Sequence, residues 1–266
     1  LPLVAVVSSI HAGSRNDPAG YEGLAHYVEH LLFREAGPFA SVFSLYANSG
    51  AIVNARTVPD TTDYFALLPK AQLERALWVE ARRLALGLNV LEDAGAAQEK
   101  QVVLREQALR RGYEPGLLAA RALNDALFPS GHPYHTLLST VESLEPLSLA
   151  NARWFLANHY RPERTRLIVV GDFDPATARA LIERHFAALK APAPSASAEQ
   201  QSASAKRAAE CRWAERVPVP ASRRLVVRSR YRNERLELTW AIPVADAEAS
   251  RELMGLLARS IAEKAR

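Results

Sequence analysis

The segment GLAHYVEHLLF, from Gly23 to Phe33, constrains this chain more than any other stretch. Residues three and four apart on a helix share a face, so His26 and His30 point the same way, one turn apart, with Glu29 beside them. Leu24, Val28, Leu31 and Leu32 are the apolar positions that pack the same helix against a core. Two imidazoles at this spacing have the geometry of a metal site. Catalytic zinc takes three protein ligands and keeps one position for water, so a second element has to bring a third ligand to this helix. His11, His132, His135, Glu92, Glu99 and Glu106 all carry side chains able to serve.

Helical geometry narrows these candidates. Glu99 and Glu106 lie seven residues apart in QEKQVVLREQ, two turns on one face, with Val102 and Val103 to anchor the helix. A site built from two helices, with both histidines facing one carboxylate, is sterically natural. On spacing alone either glutamate fits, and both also suit a solvated face.

The rest of the chain divides into recognisable elements. LPLVAVVSSI reads as a strand, and HAGSRNDPAGYEG, rich in Gly, Asn, Asp and Pro, as a loop. A helix is expected over FASVFSLYANSG. AIVNART and TTDYFALL read as a hairpin around VPDT, with Pro59 at the first central turn position. Periodic helices follow in KAQLERALWVEARRLALG, closed by Gly87, and EDAGAAQEKQVVLREQALRRG, closed by Gly112; GLLAARALNDALF and SLANARWFLANHY give two more. RTRLIVVG is a continuous apolar run of the kind found in buried central strands. In DFDPATARALIERHF, Asp174 and Pro175 are placed to cap and start a helix. Strands followed by helices on both sides of the hairpin indicate an α/β (α+β) fold, a mixed sheet layered with helices. Residues 1–190 are expected to form the first domain. A flexible linker is expected at 191–207, where APAPSASAEQQSASAK offers nothing to pack, and an incomplete second α/β domain at 208–266.

Composition excludes several function classes. The chain has 266 residues, 48% hydrophobic and 23% charged, a globular balance. Its net charge of +4 is spread along the chain without a basic block, so nucleic-acid binding is not expected. Segments such as EARRLAL interleave Arg with Glu and Leu, as solvated helix faces do. The single cysteine, Cys211, excludes an intrachain disulfide and a cysteine-rich zinc site. No apolar run is long enough to span a membrane. Leu1 opens directly into a strand, which leaves room for an export signal or a leading strand ahead of it. The periplasm or cell envelope is the expected location, with the cytoplasm as the alternative.

GLAHYVEHLLF resembles the inverted zinc-binding motif of the insulysin, pitrilysin and mitochondrial processing peptidase family, the inverzincins. AGSRNDPAGYEGLAH is similar to the family's lead-in, and NARTVPDTTDY to its Asn-Ala-x-Thr segment. HPYHTLLSTVESLEPLSLANARWFLANHYRPERTRLIVVGDFDP is similar to the stretch that closes its first domain. The resemblance implies zinc, one ion per chain, held by His26, His30 and a glutamate in a second helix. That glutamate is Glu106, 76 residues beyond His30. It also implies that Glu99 supports the ligands from outside, that Glu29 is the general base, and that residues 1–190 are a zinc-peptidase catalytic domain. Asn54 and Ala55 match the strand onto which the family's extended substrates add. The implied activity is hydrolysis of peptides or unfolded protein segments, completed by a second homologous half or subunit. The alternative is a non-catalytic scaffold or metal-binding homologue. His11, His132 and His135 are not expected to ligate, and Tyr64 is expected to pack beside the site.

Overall fold

The structure, a computed structural model, describes residues 1–34, 41–88, 91–113, 116–129, 132–135, 137–190 and 225–226. The expected linker at 191–207, Cys211, and all of 208–266 except 225–226 lie outside the described residues. Strand β1 (Leu3–Ile10) is followed by α1 (Leu24–Leu31) and α2 (Val42–Leu45). The hairpin β2 (Ile52–Thr57) and β3 (Thr62–Pro69) leads to α3 (Leu73–Leu86), α4 (Asp93–Tyr113), α5 (Leu117–Leu127), α6 (Val141–Leu144) and α7 (Leu149–His159). Strand β4 (Thr165–Gly171) and α8 (Pro175–Phe186) complete the described elements.

The layered α/β architecture expected from the sequence is present. The strands lie in the order β2-β3-β1-β4. A mixed sheet is the sequence expectation; among the described residues every pairing is antiparallel, because the long connections return β3 and β4 on either side of β1 in the opposite direction. The hairpin turns where expected: the Val58 N–H donates to Thr61 O at 2.9 Å, with Pro59 next in the turn. Strand β4 corrects a second expectation. It is an outer strand in this order rather than a central one, and its burial alternates along the strand. Leu167 and Val169 pack inward, while Ile168 and Val170 are 37% and 61% exposed. An uninterrupted apolar run cannot by itself distinguish a strand covered on both faces from one covered on a single face.

The helices pack on one face of the sheet. Val4, Val6, Ser8 and Ile10 of β1 point to that face, in register with Leu68, Ala66, Tyr64 and Thr62 of β3. At one end, α3 and α8 cover Val4, Val6, Ala66 and Leu68 through Leu73, Ala76, Leu77 and Ala178. At the other end, Ile10 and Tyr64 pack with Leu24, Val28 and Leu31 of α1 and with Ala152 and Phe155 of α7. Burying side chains of this size is worth about 1.5–3 kcal/mol each. The two halves of the core thus fix the helix layer at both ends of the strands.

Local sequence explains most helix boundaries. Ser148 accepts the Asn151 N–H to start α7, and Asp174 accepts the Thr177 N–H at 2.7 Å to start α8 ahead of Pro175. Gly87 terminates α3 at positive φ (52°). Three expectations are corrected. Helix α2 is a single turn, because Asn48 and Gly50 take φ of 58° and 70° and redirect the chain into β2. Gly112 lies inside the last turn of α4, which runs on to Tyr113. EARRLAL is not wholly a solvated face: Glu80 and Arg83 are 4% and 7% exposed. They are buried as a pair, with Arg83 Nε 3.2 Å from Glu80 Oε2 and the guanidinium 4.0 Å above the Tyr64 ring. Mutual compensation makes this burial tolerable.

His159, at the end of α7, sits against Phe155 and Trp154, and burial pushes its imidazole down to about 4. Between about pH 6.5 and 4 the unfolded chain binds a proton here that the native protein does not, so stability falls as pH falls through that window. His159→Phe keeps an aromatic ring and removes the titration. Equilibrium urea unfolding at pH 7 and pH 4.5 is expected to show a smaller acid loss for the variant, the difference being on the order of 2 kcal/mol.

Candidate metal centre

Helix α1 is fixed by contacts remote in sequence. Its N-cap, Gly23, has φ of 101° and lies so close to Leu144 and Ser139 that an added Cβ would fall within 2.8 Å of both. A glycine cannot cap with a side chain, and Asp17 does so instead. Its buried carboxylate accepts the Gly23 N–H at 2.7 Å and the Ala25 N–H at 2.8 Å. The negative charge also complements the helix N-terminus. At the other end, Arg83 donates to Leu32 O at 2.9 Å.

Helix α4 runs alongside. The Tyr27 hydroxyl donates to Ala96 O at 2.7 Å, Lys100 donates to the carbonyls of Glu145 and Leu147, and Gln107 donates to Ser139 O. This packing presents Glu99 and Glu106 to α1. His26 and His30 stand edge to face, ring centroids 4.7 Å apart. Glu106 Oε2 lies 3.6 Å from His26 Nε2 and 3.3 Å from His30 Nε2. Glu99 is on the far side of the His30 ring, where its Oε1 accepts the Nδ1–H at 2.8 Å. The glutamate left undecided by helical spacing is therefore separated by geometry: Glu106 meets both histidines, Glu99 only one.

The donor set fits zinc. His26, His30 and Glu106 each offer one atom, all within 4.8 Å of one another, and no other such group occurs among the described residues. Zinc bonds of about 2.0–2.1 Å in tetrahedral array place ligand atoms about 3.3–3.4 Å apart, close to the two separations measured. With Nδ1–H given to Glu99, Nε2 is the His30 nitrogen that faces Glu106 and is placed to bind a cation. His11, His132 and His135 are elsewhere: His11 meets Arg15, His132 stacks on Phe128, and His135 donates to Phe128 O.

Charge is unevenly distributed over the cluster. Burial and the neighbouring His30 push His26 down to about 4. His30 is also buried, but hydrogen bonds to Glu106 and Glu99 outweigh this and lift it to about 9. The His30 contact holds Glu106 down to about 2, and His30 with Arg34 lowers Glu99. Burial raises the Glu29 carboxyl above its usual range.

Several residues at the site carry no local sequence signal. Thr57 Oγ1 donates to Glu29 Oε2 at 2.5 Å, so the end of β2 holds the carboxylate of α1. Tyr64, expected beside the site, is buried in the same cluster as Leu24, Val28 and Leu31 of α1, with its hydroxyl 2.9 Å from that of Tyr160 and its ring beneath Arg83. Arg110, 2.5 Å from Glu106 Oε1, is detectable from its position four residues on. Asp17, Arg34 and Arg83 are not, because their partners are set by tertiary packing. Asn54 and Ala55 lie on β2, the outer strand opposite β4, and Asn54 Oδ1 accepts the Ala55 N–H at 2.9 Å.

The family model for insulinase, peptidase family M16, matches residues 2–108, and that for the peptidase M16 inactive domain matches residues 146–258. The chain belongs to peptidase family M16. This M16 chain is 33% identical over 185 residues to a protein named zinc protease PqqE from Helicobacter pylori, covering 67% of this chain and 40% of that one. It is 29% identical over 214 residues to a probable mitochondrial-processing peptidase subunit beta from Schizosaccharomyces pombe, covering 78% and 44% respectively. Among solved structures, a protease from Helicobacter pylori superposes with a TM-score of 0.66 at 27% identity, over 73% of this chain and 49% of that one. The M16 chain thus spans less than half the length of these relatives. Among its described residues, no helix is long and apolar enough to cross a membrane.

Removing the Asp17 carboxylate leaves two amide N–H groups at the start of α1 without their acceptor. Asp17→Ala is expected to cost about 1–3 kcal/mol in urea unfolding, with the loss of helix order centred on α1 in amide hydrogen exchange.

Proposed function

We propose that this chain is the metal-bearing half of a zinc-dependent endopeptidase acting on peptides and unfolded protein segments. The observation that carries this reading is the convergence of His26, His30 and Glu106, with Glu29 beside them on the same helix. One zinc ion per chain would be held by the two imidazoles and the Glu106 carboxylate. When bound, zinc supplies Lewis acidity, which polarises a peptide carbonyl and lowers the pKa of water from 15.7 to about 7.

Glu29 is the general base. Thr57 holds its Oε2, leaving Oε1 to take the proton from the attacking water and return it to the leaving amine nitrogen. Burial that raises its carboxyl suits a group that must both accept and deliver a proton. Glu99 orients His30 by accepting its Nδ1–H.

The open edge of β2 is the proposed substrate platform. The Val58–Thr61 hydrogen bond sets the ladder parity, so Arg56, Asn54 and Ile52 pair inward with β3 while Val53, Ala55 and Thr57 turn their backbone groups outward. A substrate strand adding there is read by its backbone, with little sequence selectivity. Its carbonyl replaces Asn54 Oδ1 as the acceptor for Ala55 N–H. The division into a catalytic domain at 1–190, a linker at 191–207 and the start of a second domain from 208 belongs to the same proposal. A second homologous half, covalently continuous or a separate subunit, would close over the β2 edge.

Elemental analysis of the purified chain is expected to give about one zinc per molecule, and His30→Ala to abolish it. Glu29→Gln keeps size and hydrogen bonding but cannot take a proton. It should retain zinc while peptide hydrolysis falls at least about a hundredfold; near-normal turnover would assign the proton to another group.

The isolated chain is expected to cleave peptides weakly or not at all until a candidate partner half is added. The check is turnover of a fluorogenic peptide with and without that half. Full activity from a monodisperse monomer would mean that zinc, Glu29 and the β2 edge suffice.

A further inference from the structure

Arg34 lies just beyond α1, outside the HYVEH motif, and its side chain turns back toward α4. Its Nη1 donates to Glu99 Oε2 at 3.0 Å and its Nη2 to Gln98 Oε1 at 3.2 Å. Glu99 has two carboxylate oxygens, and each has a dedicated donor: Oε1 takes the His30 Nδ1–H and Oε2 takes Arg34. A carboxylate held at one oxygen can rotate about its χ angles; one held at both cannot do so without breaking a charge-assisted bond. The Glu99 side chain is 13% exposed, so the charged Arg34 contact is only partly screened by water.

The guanidinium lies along the surface of α4. Gly95 lies one turn before Glu99, and a Cβ built there would come within 3.8 Å of Arg34 Nε and 4.0 Å of Nη2. The backbone geometry after α1 contributes too: Phe33 N–H bonds to His30 O, and Arg34 N–H bonds to Leu31 O. The Arg34 backbone is thereby tied to the turn that carries His30.

We propose that Arg34 is a positioning residue for the metal centre: it locks the Glu99 carboxylate so that Glu99 fixes the His30 ring with Nε2 facing Glu106. This rests on the reading that His26, His30 and Glu106 hold zinc. The Arg34 side chain bonds to Glu99 and Gln98 rather than to His26, His30 or Glu106, and its effect passes through Glu99. A salt bridge that merely joined α1 to α4 would contribute to stability and leave metal affinity unchanged.

The test is the zinc dissociation constant of the full chain, measured by competition with a chromophoric chelator, for wild type, Arg34→Ala, Arg34→Lys, Glu99→Gln and the double variant R34A/E99Q. Melting curves of the same proteins without zinc report stability separately. Arg34→Ala is expected to weaken zinc binding roughly tenfold or more, the range seen when an outer partner of a metal ligand is lost. Arg34→Lys should recover part of that loss. R34A/E99Q should bind as Glu99→Gln alone does, because the two residues act in series. Wild-type affinity in a folded Arg34→Ala, or losses that multiply in the double variant, would overturn the role of Arg34 while leaving the zinc site standing. Absence of zinc binding by the wild-type chain would overturn both.

Discussion

A helix that carries two imidazoles and a buried carboxylate has to be held rigidly, since a shift of one side chain separates donors that must converge within a few ångströms. Helix α1 meets this constraint from outside itself. Asp17 accepts two of its first amide protons, Arg83 binds the carbonyl at its far end, and the Tyr27 hydroxyl ties it to α4. Every other feature of the site depends on this: α4 can present Glu99 and Glu106 to His26 and His30 only because the two helices are locked in register. The anchors are buried or nearly so, where hydrogen bonds to charged groups exceed the worth of exposed ones.

The sheet contributes in a different way. Its helix-bearing face supplies the core, while β2, the outer strand, brings Thr57 to Glu29 and turns the backbone of Ala55 toward the open edge. A single strand therefore touches the proposed base and the proposed substrate platform. The opposite face of the sheet carries Ile52, Leu67, Ala5 and Val170 in one row across the four strands, with Ile52 63% exposed. That row explains why β4 reads as a central strand: it is apolar on both faces, but the described helices cover only one.

The electrostatics follow from the packing. His26 and His30 are chemically alike and one turn apart, yet they are driven in opposite directions. Burial lowers both, and the imidazole of His30 adds to it at His26, whereas at His30 the two flanking carboxylates outweigh it. Glu29 is pushed upward by burial in the same cluster that pulls Glu106 downward through its contact with His30. The separation assigns the three acids different chemistry. Glu106 stays ionised and available to a cation, Glu99 is held by donors on both oxygens, and Glu29 is the one whose proton affinity is raised.

The sequence by itself determined the features set by local periodicity and capping. These are the one-face placement of His26 and His30, the α1 and α4 helices, the β2–β3 hairpin with Pro59 in its turn, and the starts of α7 and α8 at Ser148 and Asp174. These depend on interactions within a few residues, which a linear pattern records. Helical spacing also reduced the candidates for a third metal donor to Glu99 or Glu106, but could go no further, because two residues seven apart share a face. The family resemblance named Glu106, and the tertiary structure brings that residue to both histidines by setting the height of α4 against α1. Only the tertiary structure decided that Asp17 caps a helix six residues away, that Arg83 and Glu80 are buried as a pair, and that Arg34 reaches Glu99 across 65 residues of sequence. Each of those contacts joins groups whose proximity exists only once the helices have packed on the sheet.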